Sequence, residues 1–224
     1  MENIILEEDI PSICAQKLKY KQVDLALVPV ALLPELDNYY IETDYCIGAD
    51  GIVDSVKLYS DVPLSDITEI VLDYHSKSSI TLTRVLSRFF WKIHVLFREA
   101  KPGFENEISG TKAAVVIGDR TFSLNGKFKY EYDLAGEWKK FTDLPFVFAA
   151  WVSTEKLDPN FVKTFNSVLK EGVESVPLAV KEAYTGQVLS TAEIVHYLEE
   201  RIDYKLDDKK RQALKLFLSY IDQL

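Results

Sequence analysis

Gly48 and Gly51 stand three residues apart in the stretch Asp44-Tyr-Cys-Ile-Gly-Ala-Asp-Gly-Ile-Val-Asp-Ser-Val-Lys-Leu-Tyr-Ser60, and Ser55 follows them closely. Glycine lets backbone approach a ligand closely or take a positive φ. A serine just beyond such a turn, on a rigid strand, can offer its hydroxyl to a bound anion. The alternation of Val53, Ser55, Lys57 and Tyr59 against Asp54, Val56 and Leu58 supplies that strand.

The second chemically suggestive stretch is Leu72-Asp-Tyr-His-Ser-Lys-Ser-Ser79, a polar loop between an apolar strand and an amphipathic helix. Unpaired amides at a helix N-terminus carry partial positive charge and bind carboxylates or phosphates. Ser76, Ser78 and Ser79 add hydroxyls and Lys77 a charge. Two readings stand here: an anion site, or a serine that only caps the helix. Asp119 is a third candidate, at the carboxyl end of the buried strand begun at Lys112, where open α/β sheets place their ligands. Its alternative is a simple turn aspartate.

Other chemistry is missing from the sequence. His75, His94 and His196 show no metal-ligand spacing, and only His75 lies near a candidate site. No dinucleotide fingerprint, phosphate-binding P-loop or nucleophile elbow occurs. An enzyme built from these residues would work by positioning and by oriented dipoles. The net charge of −9 argues against general nucleic-acid binding, which needs a basic face, but a pocket in an acidic protein can still be locally positive. Cys14 and Cys46 lie in apolar surroundings and read as reduced thiols rather than a disulfide. The acidic start does not resemble a signal peptide, and no apolar run reaches transmembrane length, so a cytoplasmic location without membrane association is expected.

The elements that must position these residues alternate between strand and helix. Strand expectations are Ile4 to Leu6, Val23 to Val30, Ile67 to Leu72, His94 to Phe97, Lys112 to Phe122 and Leu144 to Val152. The first two flank a helix with Pro11 in its first turn and Asp9 as its cap, which predicts a parallel α/β layer. A helical turn is expected from Ala31 to Leu36, a short helix before Phe141, and a longer one from Asp158 through Leu169. The chain from Thr191 to Leu224 is expected to be helical, with the mixed charges from Glu199 to Arg211 forming a solvated face.

Taken together, Val23 to Glu35, Asp44 to Val56, Leu72 to Ser79, and Tyr132 to Trp138 with Leu144 to Trp151 resemble the chorismate dehydratase family of the futalosine route to menaquinone. The resemblance runs over nearly the whole chain, in order. It implies an α/β fold like the type II periplasmic binding proteins, with two lobes and a ligand cleft between them. Lobe one is placed at residues 1–66 plus 146–224 and lobe two at 67–145. It further implies a hydro-lyase that removes water from chorismate to give 3-[(1-carboxyvinyl)oxy]benzoate, with no metal or organic cofactor, and with the substrate's own enolpyruvyl carboxylate taking the proton. Carried over by position, Ser55 is the catalytic contact. Ser78 and Ser79 hold a carboxylate, and Gly51, Asp119 and Trp151 line the cleft. The one departure is the absence of the Ser-Tyr-Leu-Asn type loop with which members usually open; Asn3 stands in a different context. Two alternatives follow: a cytoplasmic module that binds an aromatic carboxylate without turnover, and the sister lyase acting on cyclic dehypoxanthine futalosine. The expected partner is the small-molecule substrate, and a homodimer is compatible with this reading.

Overall fold

The computed structural model describes residues 4–74, 76–186 and 188–224; Asn3 and His75, both named above, lie outside them. Nine strands form two sheets among the described residues. The first has the order β1-β8-β2-β9, made of Leu25–Pro29 (β1), Phe146–Ser153 (β8), Tyr40–Ala49 (β2) and Asp203–Lys205 (β9). The second has the order β5-β4-β6-β3-β7, made of Leu96–Glu99, Glu69–Leu72, Lys112–Ile117, Val56–Ser60 and Tyr130–Asp133.

The chain leaves the first sheet after Ala49 and returns at Phe146, and these two residues are register partners at the sheet's end. β3, expected in lobe one, pairs with β6 and β7, so the second sheet takes up its first strand at Val56. Helices α1 (Pro11–Lys19), α5 (Pro159–Glu174), α6 (Val176–Ala183), α7 (Thr191–Glu200) and α8 (Asp208–Ile221) belong to the flanks of the chain; α2 (Lys77–Val85), α3 (Arg120–Leu124) and α4 (Leu134–Thr142) lie between the crossings. One hydrophobic core runs from the first sheet to the second, joining Val28, Leu33 and Phe146 to Leu58, Leu72 and Leu82. Trp138 packs edge-on against Phe146 and Phe217, so α4 and α8 meet over β8.

Several expectations are corrected. Ile4 to Leu6 forms no strand, and its side chains are exposed. Apolar residues alone do not make a strand without a neighbour to complete its hydrogen bonds. The parallel layer is likewise absent, because β1 pairs antiparallel with β8, which comes from the far end of the chain. Ile10 occupies the cap position of α1, while Asp9 instead pairs with Lys17 at 2.6 Å. Finally, the C-terminal segment is not continuous helix. Ile202, Tyr204 and Leu206 alternate with the period of a strand, and β9 pairs there with β2. Nor is its charge run wholly solvated: Lys210 is buried and bonds to Asp203.

Gly48 is required by crowding. A Cβ there would lie 2.8 Å from the Phe146 carbonyl oxygen. Gly48→Ala is therefore expected to lower stability by about 1–3 kcal/mol in urea denaturation; an unchanged midpoint would contradict this packing. Cys14 and Cys46 are free thiols. Burial pushes the Cys46 thiol up to about 12, so it carries almost no thiolate near neutral pH. Native protein at pH 8 is expected to be labelled by a thiol reagent at the partly exposed Cys14 well before Cys46. Equal rates would mean that β2 opens readily.

Candidate functional site

Three of the expected elements converge at one end of the second sheet. β4 and β6 run parallel, so their carboxyl ends, Asp73 and Gly118, lie on the same rim. β3 runs antiparallel to β6 with Val56 opposite Ile117, which brings Ser55 to that rim from the other direction. Two bonds tie the rim together. Gly118 N–H donates to the Ser55 carbonyl at 2.9 Å, and Ile117 N–H donates to the buried Asp73 carboxylate at 3.2 Å. Asp73 also accepts from Arg120, which in turn donates to Glu105 at 2.6 Å.

The turn before Ser55 is fixed by Asp133. Its carboxylate accepts from Val53 N–H (3.1 Å), Asp54 N–H (2.7 Å) and Gly136 N–H (2.9 Å), so one side chain caps α4 and holds the crossing segment. Burial pushes this carboxyl up, and the three amides oppose that push. Gly51 has φ +114° with open space around it, so backbone geometry rather than crowding calls for glycine. Asp54, with φ 65°, is also left-handed and is held by Arg201 at 2.7 Å.

Ser55 is only 7% exposed. Tyr197 of α7 donates its phenol proton to Ser55 Oγ at 2.7 Å. No acceptor for the Ser55 proton is present among the described residues. Tyr197 meets Phe122 of α3 edge-on at 5.3 Å. Burial first, then the charges of Asp119, Asp54 and Asp133, push the Tyr197 phenol up, against the pull of its bond to Ser55. Tyr197 and Arg201 are the residues that sequence reasoning missed. Their spacing reads as an ordinary helix face, and only the tertiary fold brings them to Asp54 and Ser55.

At the serine loop, Ser76 is the N-cap, accepting from Ser79 N–H at 3.3 Å and from the Ser79 hydroxyl at 3.0 Å. Ser78 donates to the Phe148 carbonyl at 2.8 Å and accepts from Ala31 N–H at 3.3 Å. Its hydroxyl thus joins α2 to the first sheet. The amides of Lys77 and Ser78 keep no acceptor among the described residues. The Lys77 charge, expected to be free for a ligand, is paired with Glu35, and Lys77 followed by Lys19 holds that carboxyl below its usual range. Asp119 is exposed at the start of α3 and makes no capping bond. Trp151 lies apart from this group. It sits five residues into β8 from Phe146, roughly 17 Å along the strand, and packs edge-on against Phe165 of α5 at 5.0 Å. Among the described residues no cluster of three or more histidine, cysteine or acidic side chains could hold a metal ion, and no helix is long and apolar enough to cross a membrane.

The open hydroxyl of Ser55 and the open amides of Lys77 and Ser78 are donors of the kind that suit a small carboxylate, and a family model for menaquinone biosynthesis matches residues 2–223. The chain belongs to the menaquinone biosynthesis family. It is 24% identical over 221 residues to a chorismate dehydratase of Campylobacter jejuni, covering 96% of this chain and 83% of the relative. Protein AF1704 from Archaeoglobus fulgidus has a similar solved structure, with TM-score 0.68, 13% identity, and coverage of 96% of this chain and 84% of that one. The alkanesulfonate-binding protein SsuA from Xanthomonas axonopodis pv. citri, bound to MOPS, aligns at TM-score 0.54 and 11% identity, over 96% of this chain and 78% of that one. The fold of this family member is thus the two-lobed type II fold of the periplasmic binding proteins, as the sequence resemblance implied.

Ser78→Ala is expected to cost about 1–3 kcal/mol in urea denaturation, because it leaves the Phe148 carbonyl and the Ala31 amide unpaired. Unchanged stability would mean that this hydroxyl is not a structural link.

Proposed function

We propose that this protein removes water from chorismate to give 3-[(1-carboxyvinyl)oxy]benzoate, in the futalosine route to menaquinone and in the cytoplasm. The observation that carries the reading is Ser55: a buried hydroxyl with its proton unclaimed among the described residues, on the rim that also bears the open amides of Lys77 and Ser78. The name of the Campylobacter jejuni relative supports the choice of substrate.

The reaction breaks the ring C4–O bond and the neighbouring C3–H bond, and the ring becomes aromatic. The proton passes to the substrate's own enolpyruvyl carboxylate, and that proton goes on to the departing C4 hydroxyl, so that one water leaves and the carboxylate is regenerated. What the protein must supply is a conformer in which that carboxylate reaches the C3 proton. Ser55 donates to the substrate beside the reacting ring, while the amides of Lys77 and Ser78 at the start of α2 hold a carboxylate; the Ser79 hydroxyl and amide, expected to share that task, both donate to Ser76. Gly51 and Asp119 border the same space. This division of labour requires neither a metal nor an organic cofactor.

Purified protein incubated with chorismate is expected to consume it and release the benzoate product, followed by chromatography. Ser55→Ala is expected to lower kcat/KM by roughly ten- to a hundredfold, the loss of a hydrogen bond to a charged ligand worth on the order of 1.5–3 kcal/mol. Full activity in that variant would remove Ser55 from the mechanism. Protection against unfolding by chorismate without turnover would instead mark a binding module.

A further inference from the structure

We propose that Tyr197 is a positioning residue for Ser55, and that its phenol turns the serine proton toward the bound ligand. The inference rests on the dehydratase reading of the site. A serine hydroxyl carries one proton and two acceptor lone pairs. Tyr197 donates to Ser55 Oγ at 2.7 Å and so fills one lone pair. The serine proton therefore cannot point back at the phenol. The serine carbonyl is taken by Gly118 N–H at 2.9 Å, which fixes the backbone of the same residue. What remains is a proton aimed away from both, with no acceptor among the described residues. An accepted hydrogen bond also polarises the hydroxyl and makes it a better donor.

The phenol is itself held in place. Ser190 and Glu193 close a capping box that fixes the start of α7. Phe122 lies against the Tyr197 ring. One helical turn beyond Tyr197, Arg201 reaches Asp54 at 2.7 Å. Residues four apart share a helix face, so α7 grips two consecutive residues of the crossing segment, Asp54 and Ser55, with one face. The orientation of a hydroxyl near the first crossing is thereby set by a helix that follows the return to the first sheet.

The test compares wild type, Tyr197→Phe, Ser55→Ala and the double variant, with chorismate turnover, chorismate affinity from thermal shift, and circular dichroism for the fold. Phenylalanine keeps the ring against Phe122 and removes only the donor. Tyr197→Phe is expected to lose about tenfold in kcat with a smaller change in KM. The double variant is expected to be no slower than Ser55→Ala alone, because the phenol acts only through the serine. Wild-type kcat in Tyr197→Phe, or losses that add in the double variant, would overturn the proposal while leaving the dehydratase reading intact. If wild type binds chorismate without turnover, the same comparison is made on affinity, with the same two outcomes. If wild type neither binds nor consumes chorismate, the reading of the function fails and this inference fails with it. Should Tyr197→Phe lose its fold, Tyr197→Gln, which can donate to Ser55, is compared with Tyr197→Leu, which cannot. At least fivefold greater activity for Gln supports the proposal, and equal activity overturns it.

Discussion

The carboxylate of Asp133 is the constraint on which the site depends. It takes three backbone amides at once, two from the crossing segment and one from the first turn of α4. That single group sets the path of the chain between the sheets and starts the helix whose Trp138 fills the core against Phe146. It also holds Asp54 in a left-handed conformation that a non-glycine residue adopts at some cost. Ser55 is the next residue along, so its direction follows from the same bonds. Arg201 and Tyr197 complete the anchoring by bonding to the side chains of Asp54 and Ser55.

Much of this was legible in the sequence where local pattern and tertiary role agree. The apolar strand ending before Ser76, the serine cap and the helix behind it follow from neighbouring residues alone, and the structure keeps them. The buried strand from Lys112 and its turn at Gly118 are equally local. What could not be read is what depends on distant partners. Tyr197 and Arg201 have no signature of their own, because their partners lie far earlier in the chain. Ser78 reads as a ligand donor, yet its hydroxyl is spent on Phe148 and Ala31 of the other lobe. The resemblance places Trp151 in the cleft by position alone, and its ring packs against Phe165 of α5, a partner that local pattern does not reveal.

Charge is arranged with the same economy. Lys77 is already matched by Glu35, and Arg120 by Asp73 and Glu105. Among the described residues, the donors left open at the rim are neutral: amides at the start of α2 and the hydroxyl of Ser55. Neutral donors in fixed positions orient a ligand without strengthening every state of it equally, which suits catalysis by holding a conformer.

The most direct measurement is a crystal structure of the protein with 3-[(1-carboxyvinyl)oxy]benzoate bound. The account predicts a ligand oxygen about 2.5–3.0 Å from Ser55 Oγ, with the Tyr197 phenol on the other side of that oxygen atom and a carboxylate against the first amides of α2. A ligand bound away from the rim of the second sheet, or a Ser55 hydroxyl turned from it toward another protein group, would contradict the account.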